Sequence, residues 1–514
     1  MKYNEQGKRT SLENLAGVLK SSTRSTRLKQ NMKRIVVFCC LCCFPILSAL
    51  SAPRSDVPPE GVACGAFAGA IDQACWASRP LDLYPELERV ETVGRRAVEW
   101  YAHDASPAWG GRDYRDRFSV ARPVSGSREG APLLVVLHWR GAGWPGKGVD
   151  LQTSVVDEKN RVYSAPDDFY ILTLDDMRDY HVLFNRTHDE YWWGATPSYA
   201  GPTAADVPRL MKGETSCEKR VLDCVEWTVR RFGCDRNRVY LCGNSMGGQA
   251  TEAIGLAHGE VFAALNANVP ATCWFAAARL GFVKADGTDD EEWSVGRFPD
   301  PPPLVDWSGV DDTWSRGREV VYRNVAKRKW AMIGLWGDYG HCGDVLAARE
   351  RNDLVERFDW LSVKKNEAYP AFTNADCDDV LPWPFSVWKP NRAWFSGWSG
   401  DITSAEMKIA EGAKASGQVN AFFRWRVVSG TDEELRMELW VASAEELSTR
   451  QFAPPESAVA DVTLRRIQSP RLRAAAHVSW RFGDASGTAE RDSHGALTLP
   501  RLRITRAHTV LCIR

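Results

Sequence analysis

The chain has 514 residues, more than one ordinary domain holds, which predicts two or three domains. Hydrophobic residues make up 44% and charged residues 25%, so the composition excludes a disordered chain. The formal net charge is −1, but nine basic and two acidic residues lie in the first 52, which leaves 56 basic and 64 acidic residues in the remainder. A mildly acidic body offers no electrostatic footprint for nucleic acid, so we expect no such partner.

Residues 1–52 are interpreted as an N-terminal extension followed by an export signal. Lys33 and Arg34 precede the apolar run 35–50, and the small residues Ser51 and Ala52 follow it. We take Met32 as the true start, with 1–31 as an extension. The alternative is an uncleaved membrane anchor, although the run is short for a bilayer span. We therefore expect a secreted or periplasmic protein with no stable membrane association after cleavage of the signal.

Ten cysteines follow the signal, and an even number permits disulfides in an exported protein. Cys64 and Cys75 are the favoured local pair, whereas the sequence leaves the other pairings open. None of the ten has the CxxC or Cys/His spacing of a zinc site, so we predict no metal.

After an N-terminal arm at 53–114, with a predicted helix at 87–101, apolar strands alternate with amphipathic helices. This alternation is typical of a mostly parallel sheet covered by helices on both faces, and it predicts an α/β domain over 115–362. The predicted strands are 117–122, 132–138, 169–174, 238–242, 262–269, 303–307 and 330–336, and the helices are 215–232 and 249–258.

The pattern changes after residue 362. Residues 363–415 are rich in Trp and Pro and are predicted to form a linker or strap, with a short helical piece at 405–415. Strands without intervening helices follow and predict a small β-sandwich over 416–514. They are placed at 421–428, 435–441, 458–467, 474–481, 497–504 and 509–513.

Gly243-Asn244-Ser245-Met246-Gly247 fits the pattern G-x-S-x-G. The strand RVYLC runs into it and a helix pattern runs out of it, which is the setting of a nucleophile elbow. Glycines flank the serine because the turn leaves no room for side chains. Ser245 is the predicted nucleophile, and the Met246 N–H is predicted to stabilise an oxyanion. The alternative is an ordinary glycine-rich turn with a surface serine.

A serine hydroxyl is a poor nucleophile until a base accepts its proton. His341 is the predicted base, because it closes the loop Gly-Asp-Tyr-Gly-His after the run 330–336, in the required chain order. His138, which precedes the nucleophile, and His181 and His188, which lie on an earlier loop, are the competitors.

The acid is expected between the nucleophile and the base, after the strand 303–307. Asp312 is preferred, Asp311 is the alternative acid, and Asp338 is a third candidate. A second oxyanion donor is expected after the early apolar strand 132–138. There the Arg140 N–H is preferred and Gly141 is the fallback.

Three segments, PLLVVLHWRGAG (132–143), CDRNRVYLCGNSMGGQA (234–250) and FAALNANVPA (262–271), resemble the α/β-hydrolase superfamily. Within it, the chain looks like secreted esterases related to polyhydroxybutyrate depolymerases and to feruloyl or acetylxylan esterases. The resemblance covers about 115–362 and implies a triad of Ser245, His341 and Asp312, with no cofactor. Trp139 departs from the pattern, since the family usually has Gly there.

The fold class expected is thus an α/β-hydrolase followed by a small C-terminal β-sandwich. The predicted function is a secreted serine esterase, acting on a small-molecule or glycan ester and most simply on carbohydrate-linked acyl groups. Trp192 and Trp193 are the predicted substrate-binding residues, in an aromatic loop, although such residues also pack lids. One alternative is a peptidase similar to the prolyl oligopeptidases, and another is a non-catalytic glycan-binding protein with a decayed hydrolase core.

Overall fold

The computed structural model describes residues 80–109, 115–126, 128–139, 166–175, 192, 214–271, 274–284, 288–290, 300–310, 312, 317–338, 340–341, 358–383, 410–447 and 452–514. All of them belong to one compact unit, Gly61–Arg514. The expected export signal, the Cys64–Cys75 pair, His181 and His188 lie outside the described residues. Free thiols in the described part include those of Cys224, Cys234, Cys242, Cys377 and Cys512.

The large sheet has the order β1-β2-β3-β5-β4-β6-β7-β8-β9-β11. The six central strands run parallel, and they are β5, β4, β6, β7, β8 and β9. Antiparallel strands extend the sheet at both edges. The bounds are β1 (Glu86–Val93), β2 (Arg96–Asp104), β3 (Arg115–Ala121), β4 (Leu133–Leu137), β5 (Tyr170–Leu174), β6 (Val239–Asn244), β7 (Ala264–Asn268), β8 (Leu304–Gly309), β9 (Met332–Gly337) and β11 (Gly417–Val419). The predicted mostly parallel sheet is confirmed.

The parallel strands are apolar on both faces because helices cover them. Every residue of β4 (LLVVL) and β5 (YILTL) is buried, as continuous apolar runs in a parallel sheet should be. The helices are α1 (Ser216–Phe232), α2 (Met246–Ala257), α3 (Trp274–Arg279) and α4 (Arg318–Lys327). Thr215 and Glu218 form a capping box that starts α1, and Gly233 ends it in the left-handed conformation that glycine adopts without strain.

The helix predicted at 87–101 is wrong, because this segment forms the hairpin of β1 and β2. Gly94, with a φ of 57°, makes the turn between the two strands. Val, Thr, Trp and Tyr dominate the apolar positions, and these residue types favour strands. Pairing of β2 with β3 then decides the conformation, so the end of the N-terminal arm belongs to the large sheet.

The C-terminal part consists of two antiparallel sheets with a shared apolar core, with orders β10-β14-β17 and β12-β13-β18-β15-β16. Along β13, residues alternate between buried and half-buried, as expected for a sheet that packs one face. The bounds are β10 (Tyr369–Thr373), β12 (Phe423–Gly430), β13 (Leu435–Val441), β14 (Ser457–Arg465), β15 (His477–Phe482), β16 (Ala485–Glu490), β17 (Leu497–Thr505) and β18 (Thr509–Ile513), with short helices α5 (Ala444–Leu447) and α6 (Pro470–Ala474).

Three features of the segment after residue 362 differ from the expectation. The supposed strap supplies β10 to the smaller C-terminal sheet, and β11 pairs with β9 of the large sheet, so the chain alternates between the two parts. Strand β16 was not predicted, since its sequence ASGTAE is mostly small and exposed. Within the helical piece predicted at 405–415, the described residues 410–415 form no helix.

The C-terminal sheets dock on the large sheet where its parallel strands begin. Arg466 is fully buried there, and its guanidinium donates at 2.8–3.0 Å to the carbonyls of Gly259, Phe262 and Ala263, just before β7. Tyr369 O–H donates to Pro301 O, just before β8. Such directional contacts fix the C-terminal sheets against the N-terminal ends of the strands of the large sheet.

We expect Arg466→Met to lower the free energy of unfolding by roughly 3 kcal/mol, because buried carbonyls left without a donor cost about 1–3 kcal/mol each. Urea denaturation measures this loss. The control Arg503→Met alters an exposed arginine on β17 and should stay within about 0.5 kcal/mol of the unaltered protein. Equal stability of the two variants would refute a docking role for Arg466.

Candidate active site

Ser245 occupies the turn between β6 and α2. Its φ of 58° and ψ of −114° lie in a region that side chains rarely adopt, and such strain persists only where neighbours enforce it. Three backbone hydrogen bonds do so here. Ser245 N–H donates to Asn268 O (2.9 Å), and Ser245 O accepts from the N–H groups of Gln249 (3.0 Å) and Ala271 (3.1 Å).

The glycines around Ser245 are required by close backbone contacts. A Cβ on Gly243 would lie 2.2 Å from Gly247 O, and a Cβ on Gly247 would lie 1.9 Å from Leu137 O. Contacts of this length do not occur, so α2 can approach β4 and β6 only with glycine at these positions. The G-x-S-x-G pattern is therefore explained by packing.

Ser245, His341 and Asp312 form a continuous hydrogen-bonded chain. Ser245 Oγ lies 2.6 Å from His341 Nε2, and His341 Nδ1 lies 2.7 Å from Asp312 Oδ2. The Asp312 side chain is fully buried, whereas the imidazole is 21% exposed. The imidazole can therefore accept the serine proton while a buried carboxylate orients it. These three are the residues that the sequence predicted for the triad, whereas Asp311 lies outside the described residues and the side chain of Asp338 is exposed.

The loops that carry Asp312 and His341 are held together at the ends of β8 and β9. Val310 N–H donates to Gly337 O at 2.8 Å, which joins the two loops at their bases. A Cβ on Gly309 would lie 2.6 Å from Gly340 O and 3.1 Å from Asp312 Cβ. Gly309 thus allows the histidine loop to reach the acid.

The oxyanion side of the site is described in part. Met246 is the first residue of α2, so its N–H has no intrahelical partner and stands at the positive end of the helix dipole. The predicted second donors, Arg140 and Gly141, lie outside the described residues. His138 is buried at the end of β4, beside the nucleophile turn, since a Cβ on Gly247 would lie 2.8 Å from His138 O.

His138 does not compete for the role of base. Burial lowers its pKa to about 4, so the ring is neutral at pH 7. Its Nδ1 lies 2.7 Å from Trp139 O, and because a carbonyl only accepts, the proton is on Nδ1.

The substrate-binding role predicted for Trp192 is wrong, because this side chain is fully buried. Its indole packs edge-on against the His138 ring, with ring centroids 5.0 Å apart, and Nε1–H donates to His138 O at 3.1 Å. Trp192 therefore supports the segment that leads to Arg140. Trp193 lies outside the described residues.

A buried charge cluster behind the site was not predicted from the sequence. Arg318, Glu252 and Asp306 have fully buried side chains and are joined by hydrogen bonds of 2.6 and 2.8 Å from Arg318 Nη1. Burial raises the pKa of Glu252 to about 8 and also raises that of Asp306. The only sequence signal is an aspartate within the apolar run PLVDW. Among the described residues, no group of three or more His, Cys, Asp or Glu could hold a metal ion.

Part of the chain matches a known family. The model of the prolyl oligopeptidase family, Peptidase_S9, matches residues 210–280, from before α1 to the end of α3. No curated protein matches the chain. In the part that the structure describes, no helix combines the length and apolar character needed to cross a bilayer.

Solved structures give distant likenesses. An S-formylglutathione hydrolase from Agrobacterium tumefaciens is 16% identical, with a TM-score of 0.35, over 53% of this chain and 97% of that one. An acylaminoacyl peptidase from Pyrococcus horikoshii is 13% identical (TM-score 0.31; 56% and 52%). An acetyl xylan esterase from Aspergillus awamori is 12% identical (TM-score 0.29; 48% and 93%). Likenesses as distant as these do not indicate the substrate, which has to be inferred from the residues of the site itself.

The sheet order, the strained serine turn and the Ser–His–Asp hydrogen bonds define a serine hydrolase of the α/β-hydrolase fold. The family match is confined to 71 residues around the nucleophile turn. The reaction that this serine hydrolase catalyses therefore has to be inferred from the site.

We expect Gly309→Ala to lower kcat by about 10- to 100-fold, although it removes no triad atom, because the added Cβ pushes the histidine loop away from Asp312. Initial rates with p-nitrophenyl acetate measure the effect. Gly430→Ala is the control, since a Cβ there has no heavy atom within 4 Å. Equal rates for both variants would show that the loop tolerates the displacement.

Proposed function

We propose that the protein is a serine esterase that cleaves carboxylic esters through an acyl-enzyme. The hydrogen-bonded chain from Ser245 Oγ through His341 to Asp312 carries this proposal. Ser245 attacks the ester carbonyl while His341 Nε2 accepts the hydroxyl proton, and His341 then returns that proton to the leaving alcohol. Water, deprotonated by His341, attacks the acyl-enzyme, the bond between the acyl carbon and Ser245 Oγ breaks, and His341 returns the proton to Oγ as the acid is released. Asp312 orients the imidazole and stabilises its cationic form.

The negative charge that develops on the carbonyl oxygen needs donors in place before the reaction. In the proposed mechanism the Met246 N–H supplies one, and the segment after His138 supplies the second through Arg140 or Gly141. The contact from Trp192 to His138 O supports this assignment, because it fixes the peptide that leads into that segment.

For the substrate we propose acyl groups linked to carbohydrate. The support comes from the sequence, in which Tyr191 and Trp193 flank Trp192 in an aromatic loop. Flat aromatic side chains at a pocket suit sugar rings and aromatic acyl groups. Export to the periplasm or the medium is part of the proposal, and the basic and apolar segment at 33–52 supports it.

Ser245→Ala should abolish p-nitrophenyl acetate hydrolysis and labelling by a fluorophosphonate, because both need the serine oxygen. Asp312→Asn should lower kcat on the order of 10⁴-fold while KM changes little. Ser479→Ala, an exposed serine in the C-terminal sheets, is the matched control and should behave as the unaltered protein. Full hydrolysis by Ser245→Ala would disprove the mechanism, and sugar binding without any turnover would favour the non-catalytic alternative.

A serine peptidase is the second candidate, because the prolyl oligopeptidase family model matches residues 210–280. The two activities differ in the leaving group, which is an alcohol for an ester and an amine for a peptide. Acetylated and feruloylated oligosaccharides should be hydrolysed with higher kcat/KM than proline-containing peptide p-nitroanilides. The reverse order of kcat/KM would replace the esterase proposal with the peptidase.

A further inference from the structure

The elements that carry the proposed triad meet at one side chain that lies outside the triad. Arg318 begins α4, directly after the acid loop, and its guanidinium is fully buried. Nη1 donates to Glu252 Oε1 on α2 (2.6 Å) and to Asp306 Oδ1 on β8 (2.8 Å). Nη2 donates to Pro270 O at 3.0 Å.

Each of these contacts leads to a member of the site. Glu252 belongs to the helix that starts immediately after Ser245, and Asp306 belongs to the strand that leads to Asp312. Pro270 precedes Ala271, whose N–H donates to Ser245 O. The guanidinium therefore links the nucleophile turn to the strand that leads to the acid loop and the helix that follows it.

The histidine side of the site meets the same cluster through Tyr322. This buried side chain donates to Asp306 Oδ2 at 2.6 Å and packs against β9, where a Cβ on Gly334 would lie 2.4 Å from the ring. Strand β9 ends four residues before His341.

The segment that Arg318 holds is strained. Val269 has a φ of 37°, which is a rare conformation for a β-branched residue. It lies between Asn268, whose carbonyl accepts from Ser245 N–H, and Pro270, whose carbonyl accepts from Arg318. Such a conformation persists only when the surroundings enforce it.

We propose that Arg318 is a positioning residue, which sets the distance and orientation between the nucleophile turn and the acid loop. This inference rests on the proposed function. A buried arginine with two carboxyl groups is weak evidence for stability, since desolvation offsets the attraction, and such groups are better understood as fixing one arrangement. The fork of the guanidinium reaches acceptors on three elements at once, and an ammonium group cannot reproduce that geometry.

The two carboxyl groups differ in their donors, which determines where the proton is. Burial raises the pKa of both groups, but Asp306 accepts from Arg318, Tyr322 and Ser308, and these three donors stabilise its ionised form more than one donor stabilises that of Glu252. Among the described residues, Glu252 accepts from Arg318 alone and its Oε2 has no hydrogen-bond partner. Glu252 is therefore the neutral member at pH 7, in agreement with the rise of its pKa to about 8 on burial.

Arg318→Lys should lower kcat per active site on the order of 10²-fold with little change in KM. Titration with a fluorophosphonate gives the concentration of reactive serines. Because kcat is calculated per reactive serine, unfolded molecules do not lower it. Arg466→Lys is the matched control: it alters a fully buried arginine at the opposite edge of the sheet in the same way, and its kcat per site should stay normal. Normal kcat for Arg318→Lys would overturn the positioning role.

Should Arg318→Lys not fold, Tyr322→Phe tests the same cluster, since it removes only the hydrogen bond to Asp306. We expect a severalfold lower kcat per site. Its control, Tyr240→Phe, removes the hydrogen bond of another buried tyrosine, to Val363 O (2.9 Å), and should leave kcat normal. If Ser245→Ala is inactive but Tyr322→Phe is normal, only the positioning role fails. Activity of Ser245→Ala would refute the proposed function itself.

The proton on Glu252 gives a second readout. The unfolded chain releases it near the ordinary pKa of 4.5 and the folded chain only near 8, so this group lowers stability as pH rises between these values and changes nothing further above 8. The groups that face Glu252 are Arg318 and Tyr322 on α4 and Asp306 on β8. Glu252→Gln should therefore gain in Tm relative to the unaltered protein between pH 5 and pH 8. A difference in Tm that is the same at every pH would place the proton elsewhere.

Discussion

The backbone of Ser245 is the constraint on which the site depends. A φ of 58° with a ψ of −114° is unfavourable for serine, so the chain must provide compensating contacts at this point. Gly243 and Gly247 allow α2 to come close enough to β4 and β6, and the end of β7 binds the turn through Asn268 O and the N–H of Ala271. The reactive hydroxyl is thereby placed above the sheet edge before any substrate arrives, which avoids reorganisation during the reaction.

A cluster of buried charged side chains lies beside the nucleophile turn. Arg318 and its two carboxyl partners are fully buried, where desolvation offsets their attraction, and their hydrogen bonds join α2, β8 and α4. The strained Val269 stands between the contact to Ser245 and the contact to Arg318. The strained nucleophile turn and the buried charge are thus parts of one arrangement. Arg318 binds the segment 268–271, and that segment binds the turn at Ser245.

Local chemistry explains what could be predicted from the sequence. The glycines around Ser245 follow from steric demands of a single turn, and the order of Asp312 and His341 follows from the order of parallel strands. Long-range pairing explains the rest. The helix predicted at 87–101 is wrong because only the pairing of β2 with β3 decides between a helix and the hairpin at 86–104. Likewise, the contact between Glu252 and Arg318 joins residues 66 positions apart, and no local pattern reveals it.

The two ends of the parallel strands have different roles. The C-terminal sheets bind where β7 and β8 begin, through Arg466 and Tyr369, whereas Ser245 lies where β6 ends. A six-residue strand spans about 20 Å, so these contacts do not reach the nucleophile. Selectivity for a substrate is then a property of the C-terminal strand ends, where Ser245, Asp312 and His341 lie. An effect of the C-terminal sheets on catalysis would have to pass through the strands themselves, as a change in how β8 and β9 present Asp312 and His341.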